Sequence, residues 1–161
     1  RLLPLHALSA SHRLGLVGQA PVGRQLSHQF RHLVYVRGIA RVSALHILAD
    51  LVVLAPDMTA RQWVAHAGLD PRHHESGTSI HKPTRISRAG NRYLRSALFM
   101  PALVATQHDP NIRAFYQKLV DRGKTKMQAI VAVMRKLLHA LHGMLRTDSD
   151  FVGEKFFVIP S

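Results

Sequence analysis

The chain has 161 residues, 47% of them hydrophobic, and carries 22 Lys and Arg against 9 Asp and Glu, a net charge of +13. A chain of this length buries roughly two thirds of its unfolded surface in one domain, and its apolar content excludes global disorder. The absence of Cys excludes disulfides and thiolate zinc sites, and no apolar run reaches the ~18–20 residues of a membrane span. The charge excess points to a polyanion, above all nucleic acid, and 16 of the basic residues are Arg, whose planar fork matches phosphate.

In chain order, residues 1–27 read as a poorly specified lead-in, broken by Pro4, Gly15, Gly18, Pro21 and Gly23. The chain starts at Arg1 without a signal-peptide pattern, so it reads as a fragment of a longer protein. A helical domain is expected over residues 28–146, followed by a tail over 147–161. Phe30, Leu33, Val34 and Val36 predict a short helix from His28, and Gly38 marks a turn. Val42, Leu45, Ile47, Leu48, Leu51 and Val52 predict a second helix that stops before Pro56. Thr59 and Gln62 have capping-box spacing and open a helix that Gly68 ends. Asp70–Ala89 has no apolar period and is too long for a simple connector, so it reads as a long basic loop.

A helix is expected from about Gly90 to Gln107, with Pro101 kinking it and freeing a carbonyl. Asp109-Pro110 looks like an N-cap followed by Pro at the first helical position. The helix it opens should end near Gly123, and a second capping box, Thr125 with Gln128, opens the longest helix, to about Leu145. These two form a C-terminal helical hairpin. Phe151, Phe156, Phe157 and Ile159 in the tail can dock back. No repeat and no strand alternation is visible, so the fold class is all-α, a compact helical domain.

Three places could carry chemistry. Val36-Arg37-Gly38-Ile39-Ala40 lies between two short helices, as in a helix–hairpin–helix unit that points hairpin amides at a phosphate. Gly38 and Ile39 fit the usual Pro-Gly-Ile-Gly hairpin, and Arg37 and Ala40 depart from it; an ordinary turn is the alternative. In the loop, Ser76 beside Gly77 is a hydroxyl among cations that could attack a phosphodiester, although loop serines commonly form turns or caps. Lys82, Arg85, Arg88, Arg92 and Arg95 follow, and a helix starting near Ser87 would set Arg88, Arg92 and Arg95 on one face, either gripping phosphate or simply solvated. His73, His74 and His81, and His139 with His142, have too few nearby carboxylates for a metal site, so none is expected. There is no carboxylate constellation for magnesium and no Gly-rich nucleotide loop.

Four segments carry a family resemblance: Ala67-Gly68-Leu69-x-Pro71-Arg72, Ser76-Gly77, Arg85-Ile86-Ser87-x-x-Gly90-Asn91-x-x-Leu94-Arg95, and Ala129–Leu138. In order and spacing, over roughly residues 33–160, the chain resembles the C-terminal half of bacterial insertion-sequence transposases of the 110/116/902 group. The resemblance implies a preceding ribonuclease-H-like domain whose acidic residues bind magnesium, a coiled-coil connection, and a helical C-terminal domain supplying a serine nucleophile that becomes covalently linked to DNA. It also implies a homo-oligomer guided by an element-encoded RNA, in a bacterial cytoplasm and associated with the nucleoid. By motif the serine is Ser76, with Ser79 the competing hydroxyl. Arg72, Lys82, Arg85, Arg88, Arg92 and Arg95, with Arg37 and Gly38, are the expected nucleic-acid contacts. Activation of Ser76 is expected from metal in the absent half rather than from His73 or His74. The expected function is DNA binding within a split transposase active site, with the isolated chain inactive. The alternative is a non-enzymatic nucleic-acid-binding module, or the remnant of a transposase gene.

Overall fold

Local signals in the sequence place most helix ends. The computed structural model describes residues 22–72, 85–87 and 89–159, and of Val22, Arg72 and Arg85 the backbone alone. Among the described residues lie α1 (Val22–Tyr35), α2 (Arg41–Val52), α3 (Ala60–His66), β1 (Pro71–Arg72), β2 (Arg85–Ile86), α4 (Arg92–His108), α5 (Pro110–Asp121), α6 (Lys126–Thr147) and α7 (Gly153–Phe156). The domain is all-α. Its strands are two residues each, paired antiparallel with Pro71 opposite Ile86 and Arg72 opposite Arg85. A pair this short leaves no alternation for a sequence to display.

Both capping boxes form. Thr59 and Thr125 each accept the third helical amide, and Gln62 and Gln128 each reach back to the cap amide. Asp109 caps α5 by accepting from the Asn111 and Ile112 amides at 3.0 Å, with Pro110 behind it. Helix α1 begins at Val22, ahead of His28 where the apolar spacing starts. Helix α4 runs unbroken through Pro101 to His108. Proline still removes one amide there, leaving the carbonyl of the residue four before it without that partner.

The core is built around α4 and α6, which pack on each other. Helix α4 also packs on α2 and α5, and α6 on α1, α3 and α5. Leu94 and Leu98 from α4 and Leu137, Leu138 and Leu141 from α6 are fully buried, beside Ile47, Val64, Leu69 and Ile112. Each such side chain contributes about 1.5–3 kcal/mol of burial. Helix α2 departs from the expected stripe. Ile47, Leu48 and Leu51 face the core, whereas Val42, Leu45 and Val52 are exposed. In the tail, Phe156 is buried and packs edge-on against Phe115, and Asn111 Nδ2 donates to the Phe157 carbonyl at 2.8 Å. Ile159 stays exposed. The Lys136 ammonium lies over the Phe115 and Phe156 rings, and desolvation there, then repulsion from Lys118, lowers its pKa from the ordinary lysine value.

Candidate nucleic-acid interface

The long loop springs from a base that four elements hold together. Strands β1 and β2 pair at its neck, and the Ser87 amide extends the pairing by donating to the Asp70 carbonyl at 2.8 Å. Below the neck, the C-terminal end of α3 meets the N-terminal end of α4. The Asn91 amide donates to the His66 carbonyl at 2.6 Å, and Arg95 Nη1 donates to the Ala67 carbonyl at 2.8 Å. His66 ends α3 and Ala67 is its C-cap, where helix geometry leaves acceptors without helical partners.

Gly90 makes this contact possible. Its φ is +151°, and a Cβ there would run into the His66 carbonyl oxygen and come within 2.7 Å of the Gly68 amide nitrogen. Asn91 is the cap of α4, accepting from the Tyr93 and Leu94 amides at 2.8 and 3.1 Å. Its Nδ2 donates to Asp50 Oδ1 of α2 at 2.7 Å, which fixes the orientation of the amide. Asp50, Asn91 and His66 therefore position the loop base. In the sequence, Asp50 stands out only as an interruption of an apolar run, and the signal for Asn91 is its place after Gly90.

The expected site residues divide into three groups. Ser76, the competing Ser79, Lys82 and Arg88 lie outside the described residues, as do His73, His74 and His81. Arg72 and Arg85 sit directly opposite each other on the strand pair that forms the neck. Arg92 and Arg95 occupy the first turn of α4. That helix starts at Arg92, so the one-face stripe expected from a start near Ser87 is reduced to these two residues. Arg92 is exposed, its guanidinium 5.2 Å from the centre of the Tyr93 ring. Arg95 is half-buried and commits one nitrogen to α3.

Arg37 and Gly38 are not part of this cluster. Gly38 has φ +103°, and the Ile39 amide closes the turn onto the Val36 carbonyl at 2.9 Å. A Cβ on Gly38 would lie 2.7 Å from both the Pro101 carbonyl oxygen and the Ala105 amide nitrogen, so the turn is seated on the backbone of α4. Arg37 Nη1 reaches the His108 carbonyl at 3.4 Å, at the far end of α4. At 1.5 Å per residue that end lies about 24 Å along the helix from Arg92. On α6, His142 Nε2 donates to the Met58 carbonyl at 2.8 Å, and the ring meets Trp63 edge-on.

The electrostatics favour an anion at the loop base. Among the described residues no Lys or Arg forms a salt bridge; the carboxylate pairs there involve His28 and His32. The first turn of α4 holds no acid and two arginines, at the end of the helix that already carries partial positive charge. Such like-signed crowding costs the free protein about 0.3–1 kcal/mol per charge, and a bound phosphate reverses its sign. No helix among the described residues is long and apolar enough to cross a membrane.

Comparison with known proteins finds relatives over most of the chain. The chain is 38% identical over 128 residues to the pilin gene-inverting protein of Moraxella bovis, covering 79% of this chain and 40% of that protein. It is 37% identical over 128 residues to the protein of the same name from Moraxella lacunata, with the same coverage of 79% and 40%. It is 40% identical over 93 residues to the insertion element IS110 uncharacterized 43.6 kDa protein of Streptomyces coelicolor, covering 58% of this chain and 22% of that protein. The chain thus spans about two fifths of the length of the pilin gene-inverting proteins. A family model matches residues 31–117, from α1 through the loop base into α5 and more than half of the chain: the protein belongs to the Transposase IS116/IS110/IS902 family.

Proposed function

We propose that this chain is the DNA-binding C-terminal part of a DNA transposase or recombinase, and that Ser76 is the nucleophile it brings to a split active site. The observation that carries the reading is the family match across a loop base where Arg92 and Arg95 have no carboxylate partners among the described residues. In the proposed step the Ser76 Oγ–phosphorus bond forms as the bond from phosphorus to a deoxyribose oxygen breaks. The serine proton ends on the leaving hydroxyl. One phosphodiester replaces another, so strands can be rejoined without ATP. Arg72, Lys82, Arg85, Arg88, Arg92 and Arg95 hold the DNA backbone around that phosphate and offset the charge that develops on it. In this reading magnesium belongs to a carboxylate-bearing domain beyond the aligned part of the relatives. The active enzyme is a homo-oligomer directed by an RNA, and it works in the bacterial cytoplasm at the nucleoid. Alone, the chain binds DNA without recombining it.

Two measurements test this. In a full-length relative carrying this segment, Ser76→Ala should abolish a covalent protein–DNA adduct while Ser79→Ala preserves it. An adduct that survives Ser76→Ala overturns the assignment of the nucleophile. For the chain itself, log affinity for duplex DNA should fall linearly with log salt, as release of counterions from neutralised phosphates requires. Affinity that stays flat with salt would remove the polyanion reading altogether.

A further inference from the structure

Away from the loop base, α1 meets the end of α6 through a cluster that the family reading leaves unused. His28 and His32 are one helical turn apart on α1, so both rings project from one face. His28 Nδ1 lies 2.9 Å, and His32 Nε2 3.1 Å, from the same oxygen, Asp148 Oδ1. On its other side, His32 Nδ1 is 2.8 Å from Asp150 Oδ1. His32 is thus held between two carboxylates, and a neutral imidazole has one N–H to give. If that hydrogen goes to Asp150, the Nε2 lone pair faces an acceptor, and either a second proton or a metal cation must lie between them.

We propose that His28 Nδ1, His32 Nε2 and the Asp148 carboxylate form a zinc-binding site, with Asp150 as the carboxylate that orients His32. Three donor atoms, one from each ligand, lie within 4.8 Å of one another. The edges of a tetrahedral zinc site with nitrogen and oxygen ligands are about 3.3 Å, so an ion needs the 2.9 and 3.1 Å contacts to open by only a few tenths of an ångström. Two imidazoles and one carboxylate suit zinc and its transition-metal neighbours, not magnesium, which takes oxygen ligands. The fourth position is open to water, because the side chains of Asp148 and His28 are 70% and 46% exposed while His32 is buried. A carboxylate on the second nitrogen of a metal-bound histidine is the usual way such a ring is oriented.

Backbone geometry independently singles out Asp148. With φ +50° it is the one non-glycine residue of positive φ among those described. It follows the last turn of α6, where glycine is the common choice, and there an aspartate carries its carboxylate to α1. Bound zinc would staple α1 to the end of α6. The sequence signal was the four-residue spacing of His28 and His32; the carboxylates come from more than a hundred residues away.

The test uses the full chain, stripped with a chelator and titrated with zinc chloride, following thermal stability and calorimetric stoichiometry. Cobalt(II) serves as the spectroscopic probe. One saturable zinc per chain, a melting temperature that rises with zinc concentration and falls again with chelator, and visible cobalt absorption are expected. Asp150→Asn should weaken binding tenfold to a hundredfold, and the double variant His28→Gln/His32→Gln should lose it. Asp148→Asn is the variant least prone to misfold, because asparagine tolerates the left-handed conformation; it should fold as the parent does and bind at least tenfold more weakly. Absence of saturable binding in the parent chain overturns the proposal, as does unchanged affinity in folded Asp148→Asn. Zinc retained at parental affinity by the double histidine variant would place the ion on other histidines, with the same consequence.

Discussion

Replacing Gly90 with Ala tests whether close backbone contact holds the loop base. A methyl group there meets the His66 carbonyl oxygen, the Gly68 amide nitrogen and the Ala65 carbonyl oxygen, all of them backbone. None can swing aside as a side-chain tip would, so α3 and α4 must separate. Overpacking of this kind costs about 1–3 kcal/mol, and the positive φ adds about 1–2 kcal/mol for any residue with a Cβ. The expected loss is therefore roughly 2–5 kcal/mol, which for a domain of this size lowers the melting temperature by about 4–20 °C. Gly123→Ala is the matched control, because its φ is +81° and nothing lies within 4 Å of an added Cβ. It carries the conformational cost without the collision. Urea unfolding of both variants, with the m-value checked for constancy, gives the comparison. The steric argument fails if Gly90→Ala and Gly123→Ala lose the same stability to within about 0.5 kcal/mol.

Two arginines of α4 separate support from binding. Arg92→Ala should change stability by less than about 0.5 kcal/mol and reduce the salt slope of DNA binding by about one, as loss of a phosphate contact requires. Arg95→Met removes the donor to Ala67 while keeping an apolar stem; it should lower stability by about 1.5–3 kcal/mol, the range for a hydrogen bond to a charged group, measured by the same urea assay. Partial desolvation, then repulsion from Arg135, His142 and Arg61, holds the His139 pKa below its ordinary 6.5. The unfolded chain therefore takes up this proton first as pH falls below about 6.5, and stability drops until the folded pKa is passed. His139→Gln should flatten that part of the pH–stability curve and leave stability above pH 7 nearly unchanged; a parallel curve from chemical denaturation would contradict the sign.

The helix caps were legible because a cap is written within four residues. Thr59 with Gln62, Thr125 with Gln128, and Asp109 with Pro110 each form as their spacing predicts. The start of α4 was less legible, since Ser87 and Asn91 are both good caps and the choice depends on distant partners. Asp50, 41 residues away, holds the Asn91 side chain, and Ala67, 28 residues away, receives Arg95. No local period encodes such bonds. The same limit applies to Gly38, whose residue type announces a turn but not that the turn is seated on Pro101 and Ala105. Ser76 was picked out by motif resemblance, because a hydroxyl in a polar loop has no periodicity of its own.

The distribution of acids bears on how this domain could meet a phosphate. Asp109 is occupied as the α5 cap, Asp50 in holding Asn91, Asp121 in accepting from Gln117, and Asp148 and Asp150 at the histidines of α1. These five hold this fold together, and two of them, Asp148 and Asp150, lie with α1 at the end of α6 rather than at the loop base. The cations follow the opposite rule: among the described residues, Lys and Arg form no salt bridge with any of these carboxylates. A domain that satisfied its own charges would gain little from a phosphate backbone, because each contact would first have to break an internal pair. Here that competition is absent at Arg92, and at Arg95 it extends to one guanidinium nitrogen. A phosphate bound there would therefore relieve repulsion within the first turn of α4 instead of disrupting the fold.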